Sequence, residues 1–123
     1  MLPQKDGNEM VFENVGSQKG FTLETQELDL EDFGKEEIMG CLQEMFVIPG
    51  EFVVLTAPEA QHKVRYVQAC MDDDGVEVEL GIEGEGTRLY YKICSEEECS
   101  SIFFAFYGNT FVPNMEEYKP VEF

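Results

Sequence analysis

Any chemistry in this chain would fall to carboxylates, because 26 of its side chains are Asp or Glu, against one histidine and four cysteines. Two carboxylates at the right separation can hydrolyse a glycosidic bond, but with acids this abundant no pair stands out by spacing. His62 stands alone after a Pro/Ala/Glu connection, and a general base needs partners held within reach. Cys41, Cys70, Cys94 and Cys99 contain no CxxC pair, and the Cys94/Cys99 spacing fits no common zinc pattern. Each lies in or beside an apolar run, where a free thiol packs as a small hydrophobe, so core thiols in a reducing compartment are expected. Asp72-Asp73-Asp74-Gly75 has the composition that starts a calcium loop, yet the later ligand spacing and bidentate Glu do not follow. It reads as a turn ending in a positive-φ glycine. Gly81, Gly84 and Gly86 lack the lysine and following helix of a phosphate cradle. With no nucleophile elbow, HExxH, P-loop or dinucleotide fingerprint, the expectation is a protein that is not an enzyme and has no cofactor or metal.

Charge narrows the partners. Eight Lys and Arg leave a formal charge of −18 and a pI near 4.1. Phosphate binding needs cations to displace counterions, so direct nucleic-acid binding is disfavoured. A strong negative field instead speeds encounter with a basic protein. At 123 residues and 43% hydrophobic content, the chain suits one globular domain, residues 1–123. No apolar run approaches the length of a membrane span, and the first residues lack the apolar core of a signal peptide, so a cytoplasmic protein is expected.

The elements that must position any site centre on Val76 to Cys94, which alternates apolar and polar residues over two stretches, as strands with one buried face do. Matching the apolar faces sets Ile82 opposite Leu89, Leu80 opposite Tyr91 and Val78 opposite Ile93, with Glu85-Gly86 as a tight loop. The outer face would then pair Glu83 with Arg88 and Glu79 with Lys92, leaving Glu77 and the Asp72 to Asp74 turn uncompensated.

Around this hairpin, Ile38, Cys41, Leu42 and Met45 recur at helical spacing within the stretch 29–46, which Pro49-Gly50 ends. Phe52 to Leu55 reads as a short strand, either central in its sheet or buried on both faces, Ala57 to Gln61 as a connection, and Lys63 to Cys70 as a strand of undetermined inward side. Ser95 with Glu98 forms a capping box for a helix through Tyr107, whose inward stripe is Cys99, Ile102, Phe103 and Phe106 and whose end is Gly108-Asn109. Residues 1–20 form either a flexible leader or part of an N-terminal hairpin with Phe21 to Thr25, and Thr110 to Phe123 an extended tail along the sheet. The fold class is α+β: an antiparallel four-stranded meander with amphipathic helices packed on one face, a two-layer sandwich.

From Phe52 onward the order "EFVVL…RYVQA…DDDGVEVELGIEG…TRLYYKI…SEEECSSIFFAFYGN" resembles, in layout, the small acidic immunity proteins encoded beside bacterial polymorphic and contact-dependent toxins. That resemblance implies a cytoplasmic protein that neutralises a cognate toxin domain, often a nuclease with a basic groove. The contacts expected from the polar sheet face and turn are Asp72, Asp73, Asp74, Glu77, Glu79, Glu83 and Tyr90. The competing expectation is a small acidic secretion-chaperone-like or adaptor protein that holds another polypeptide on an apolar surface. A monomer and a homodimer are both compatible with the sequence.

Overall fold

A computed structural model describes residues 19–84 and 88–121. The strands are β1 (Thr22–Glu24), β2 (Asp29–Leu30), β3 (Phe52–Gln61), β4 (Val64–Asp72), β5 (Gly75–Ile82), β6 (Arg88–Cys94) and β7 (Lys119–Pro120), and the helices are α1 (Lys35–Val47) and α2 (Glu96–Tyr107). They form one antiparallel sheet of seven strands in the order β2-β1-β3-β4-β5-β6-β7. The α+β class stands, but the sheet is wider than a four-stranded meander. β3 to β6 are consecutive neighbours at its centre, and the short strands β1, β2 and β7 extend it on both sides. β1 falls within the expected Phe21 to Thr25 strand, whereas β2 and β7 are too brief for a hydrophobic period to reveal. Met10 to Phe12, the other half of the expected N-terminal hairpin, lie outside the described residues, as does the Glu85-Gly86 loop.

Both helices pack on the same side of the sheet and touch each other. The α1 stripe is buried as its spacing requires, at Ile38, Cys41, Leu42 and Met45. Its start is later than the pattern suggested, because Asp29–Leu30 pairs with β1. Gly34 N–H donates to the Glu37 carboxylate at 2.6 Å and satisfies one of the donors that a helix start leaves open. In α2 the Ser95 hydroxyl accepts from the Glu98 N–H at 3.0 Å. The reciprocal half of that capping box is absent, because the Glu98 carboxylate turns to Lys92. Asn109, at φ 65, carries the chain out of the helix in the left-handed conformation.

The core lies between helices and sheet. Leu23, Val53, Leu55, Val67, Val78 and Leu80 from the strands meet Ile38, Leu42, Phe103 and Phe106 from the helices, all fully buried. Phe21, Phe33, Phe106, Tyr107 and Phe111 form a chain of aromatic contacts with centroids 5.2 to 6.3 Å apart. The Tyr107 hydroxyl donates to the Phe33 carbonyl at 2.8 Å, which satisfies a polar group that burial would otherwise leave unpaired.

Three local readings change. β3 runs on to Gln61 through the expected connection and returns by His62 and Lys63, both at positive φ, in a two-residue turn. Pro58 is tolerated there because β1 stops pairing at Thr56 and leaves no ladder partner on that side. β3 takes the central position rather than burial on both faces: it lies between β1 and β4, and from Phe52 to Ala57 half-buried and buried residues alternate, so only one face enters the core. In β4 the register shifts between Val64 and Tyr66, so Val64, Val67 and Ala69 all point inward. That irregularity is why a strict alternation left neither side of β4 clearly apolar.

Candidate protein-binding face

The register of β5 against β6 decides which side chains are on offer, and it differs by one residue from the expectation. Val78 pairs with Lys92, Leu80 with Tyr90, Ile82 with Arg88, Glu79 with Tyr91 and Glu77 with Ile93. A slip of one residue turns a strand over. Tyr90, Lys92 and Cys94 therefore share the helix-covered side with Val76, Val78 and Leu80. Leu89, Tyr91 and Ile93 stand on the open side beside Glu77, Glu79 and Gly81.

What holds the strand this way is the fate of Lys92. Its ammonium is bonded to Glu98 at the start of α2 and, at 2.8 Å, to Glu117 in the short 3-10 turn Met115–Glu117. It also lies 5.0 Å from the centre of the Tyr118 ring. Burial alone would lower the Lys92 pKa, but the hydrogen bonds it donates to Glu117 and Glu98 outweigh it and the net shift is upward. A lysine stem packed along apolar surface with a satisfied head is a stable arrangement at the margin of a core. The expected pairs Glu83–Arg88 and Glu79–Lys92 therefore do not form. Glu83 instead bonds Arg65 at 2.6 Å, and the Arg65 Nε donates to the Ala57 carbonyl.

Of the seven residues expected at the interface, the sheet gathers Glu77 and Glu79 on the open face. Asp72 and Asp74 stand at the adjoining β4–β5 turn, where Asp72 pairs with Gly75 at φ 151. Asp73 is exposed at the same turn. Glu83 sits at the far end of β5 with its charge engaged by Arg65. Tyr90 is on the wrong face: it packs against the core.

Tyr66, Gln68, Cys70, Glu77, Glu79, Leu89, Tyr91 and Ile93 share the open face, and their electrostatics show the crowding. Partial burial first, and then a hydrogen bond and the charge of Glu77, push the Glu79 carboxyl up to about 7. The Cys70 thiol is raised by burial and by the charges of Glu77, Glu79 and Asp72, and the Tyr66 hydroxyl by burial and Glu79. Among the described residues, Asp72, Asp74, Glu77 and Glu79 make no ion pair with a lysine or arginine.

Beside them an open groove of about 760 Å³ runs between the β4–β5 turn and β7. Asp72, Asp74 and Glu77 form its acidic wall, Tyr91 and Ile93 its apolar wall, and Lys119 to Val121 its far side. Tyr91, Ile93 and Lys119 were missed as candidates because the expected register turned Tyr91 and Ile93 into the core and left Lys119 in a tail. Among the described residues no group of three His, Cys, Asp or Glu side chains is placed to hold a metal ion, and no helix is long and apolar enough to cross a membrane. No protein-family model, curated protein or solved structure matches the chain.

Proposed function

We propose that the chain is an inhibitor of the immunity type, which binds and neutralises a basic protein domain, such as a bacterial nuclease toxin, on the open face of its sheet. One observation supports this reading above the others. The face away from the helices interleaves Tyr66, Leu89, Tyr91 and Ile93 with Glu77 and Glu79 and is bordered by Asp72 and Asp74. Aromatic and aliphatic anchors supply affinity once desolvated, and complementary charge sets the rate of encounter. At a formal −18 the whole molecule attracts such a partner over several ångströms of screened solvent. Co-expression with its cognate basic toxin domain should restore growth, and the purified pair should bind with an affinity that falls steeply as salt rises. Failure of the chain to protect cells from that toxin, with both proteins expressed and folded, overturns the reading.

A second reading, a secretion-chaperone-like or adaptor protein, is favoured by a different surface. Val47 is 77% exposed and Ile48 46% at the end of α1, and Leu28 is 46% exposed in the β1–β2 connection. Gln26 hydrogen-bonds to Gly50 and Glu51 and so brings these two segments to one end of the molecule. A stable solution dimer that Val47→Lys dissociates would favour this reading, and a monomer at all accessible concentrations would remove it.

A further inference from the structure

We propose that the groove along β6 docks an arginine-bearing segment of the basic partner, with the guanidinium lying against the Tyr91 ring and reaching the carboxylates of Asp72, Asp74 and Glu77. The inference rests on the reading of the open face as the partner surface and adds to it the side chain that is recognised.

The wall chemistry selects arginine. Tyr91 and Ile93 offer a flat, half-exposed apolar surface, and the carboxylates converge on it from two directions, the β4–β5 turn and β5 itself. A guanidinium is planar, weakly hydrated on its faces and carries five donors in its plane. It can stack on a ring and hold two carboxylates at once, whereas an ammonium acts as a compact, strongly hydrated point charge. Three carboxylates face the single cation Lys119, which makes no ion pair among the described residues, so the groove is left with an unmet demand for positive charge. Its volume of about 760 Å³ lies in the range of ligand pockets and leaves room for backbone flanking the side chain.

A second copy of this chain is the wrong occupant. Each copy carries −18, and the only arginines are Arg65 and Arg88. Arg65 is already engaged by Glu83 and the Ala57 carbonyl.

Hexa-arginine and hexa-lysine peptides, titrated separately into the isotope-labelled full chain, test the proposal through backbone amide shifts. Hexa-arginine should bind saturably, move the amides of Asp72 to Glu77 and Tyr91 to Ile93, and do so about threefold or more tightly than hexa-lysine. Tyr91→Ala should erase the preference for arginine. Asp74→Asn with Glu77→Gln should weaken both peptides by about tenfold. Should Tyr91→Ala disturb the fold, Tyr91→Leu keeps apolar bulk on the strand and gives the same readout. Equal affinities for the two peptides, or shifts spread evenly over Glu27, Glu31 and Glu96, overturn the proposal as general counterion attraction. The two readings can fail separately. A toxin domain that is neutralised but whose complex is indifferent to Tyr91 and Glu77 removes only the arginine site. Selective arginine binding without protection from any toxin removes only the immunity function.

Discussion

The ring of Tyr66 in β4 lies directly over Gly81 in β5, so close that a β-carbon at position 81 would come within 2.1 Å of it. The absence of a side chain at Gly81 is therefore what lets an aromatic ring lie flat on the open face. Gly81→Ala must push the ring away and should destabilise by about 1–2 kcal/mol, the usual cost of overpacking. In a Tyr66→Ala background the sign should reverse, because alanine then only reduces the backbone freedom of the unfolded chain. Urea unfolding of the four proteins in that cycle checks both statements, and an equal cost in both backgrounds would separate Gly81 from Tyr66.

Lys92 gives a test of the register. Its side chain is only 12% exposed, so its stem packs as well as its charge pairs. Lys92→Ala should cost about 1–2 kcal/mol through lost packing, and Lys92→Met, which keeps most of the stem, clearly less. Tyr91→Ala on the open side should be cheaper than Tyr90→Ala, whose ring packs against the core. The reverse order of the two tyrosines in urea titrations would restore the register expected from alternation alone.

The buried hydroxyl of Tyr107 donates to the Phe33 carbonyl. Tyr107→Phe leaves that carbonyl without the bond at almost unchanged volume. A loss of about 1–2 kcal/mol is expected from removing a buried hydrogen bond. Chemical denaturation reads it directly, and an unchanged midpoint would show that another donor takes over.

Glu79 makes stability fall with rising pH. Its carboxyl is raised in the folded protein from the ordinary 4.5 to about 7, so the native state holds the proton over a range in which the unfolded chain has lost it. The group's contribution is full below pH 4.5 and is lost as pH climbs through 7. Because Glu79 is only partly buried on the open face, solvent screening reduces the effect, and the sign carries the prediction. Glu79→Gln should flatten the decline in the urea midpoint between pH 5 and pH 8, leaving the decline due to net charge. A parallel curve for the variant would contradict the raised carboxyl.

The thiol of Cys99 is fully buried in α2, and burial with the charges of Cys94 and Glu96 raises it to about 12. Cys94 is raised to about 11, by burial first and then by Glu98. Both should stay unmodified by iodoacetamide at pH 8 in the native protein and react on unfolding, as mass spectrometry would read.

The helices were legible in the sequence because their signals are local. Ser95 followed by three glutamates, and Cys99, Ile102, Phe103 and Phe106 at helical spacing, define α2 without reference to the rest of the chain. The Ile38 to Met45 stripe does the same for α1. The strands depended on distant partners. In β6 the sets Leu89, Tyr91, Ile93 and Tyr90, Lys92, Cys94 both offer an aromatic ring, and hydrophobicity alone prefers the first. Glu98, Glu117 and Tyr118 make the second workable by taking up the Lys92 head, and no window around β6 contains all of them. The same limit hid part of the proposed binding face: Asp72, Glu77 and Glu79 were named from their local pattern, while Tyr91 and Ile93 depended on the register.

The two outermost strands have a consequence for the protein as a material. β2 and β7 are each two residues long, and Pro120 in β7 has no N–H to offer a further strand. Sheet growth from molecule to molecule is thereby stopped at both margins, although β6 behind β7 is seven residues long and carries Leu89, Tyr90, Tyr91 and Ile93. A chain cut before Lys119 would uncover that strand, and it should form fibrils or swapped assemblies at concentrations where the intact chain stays dispersed.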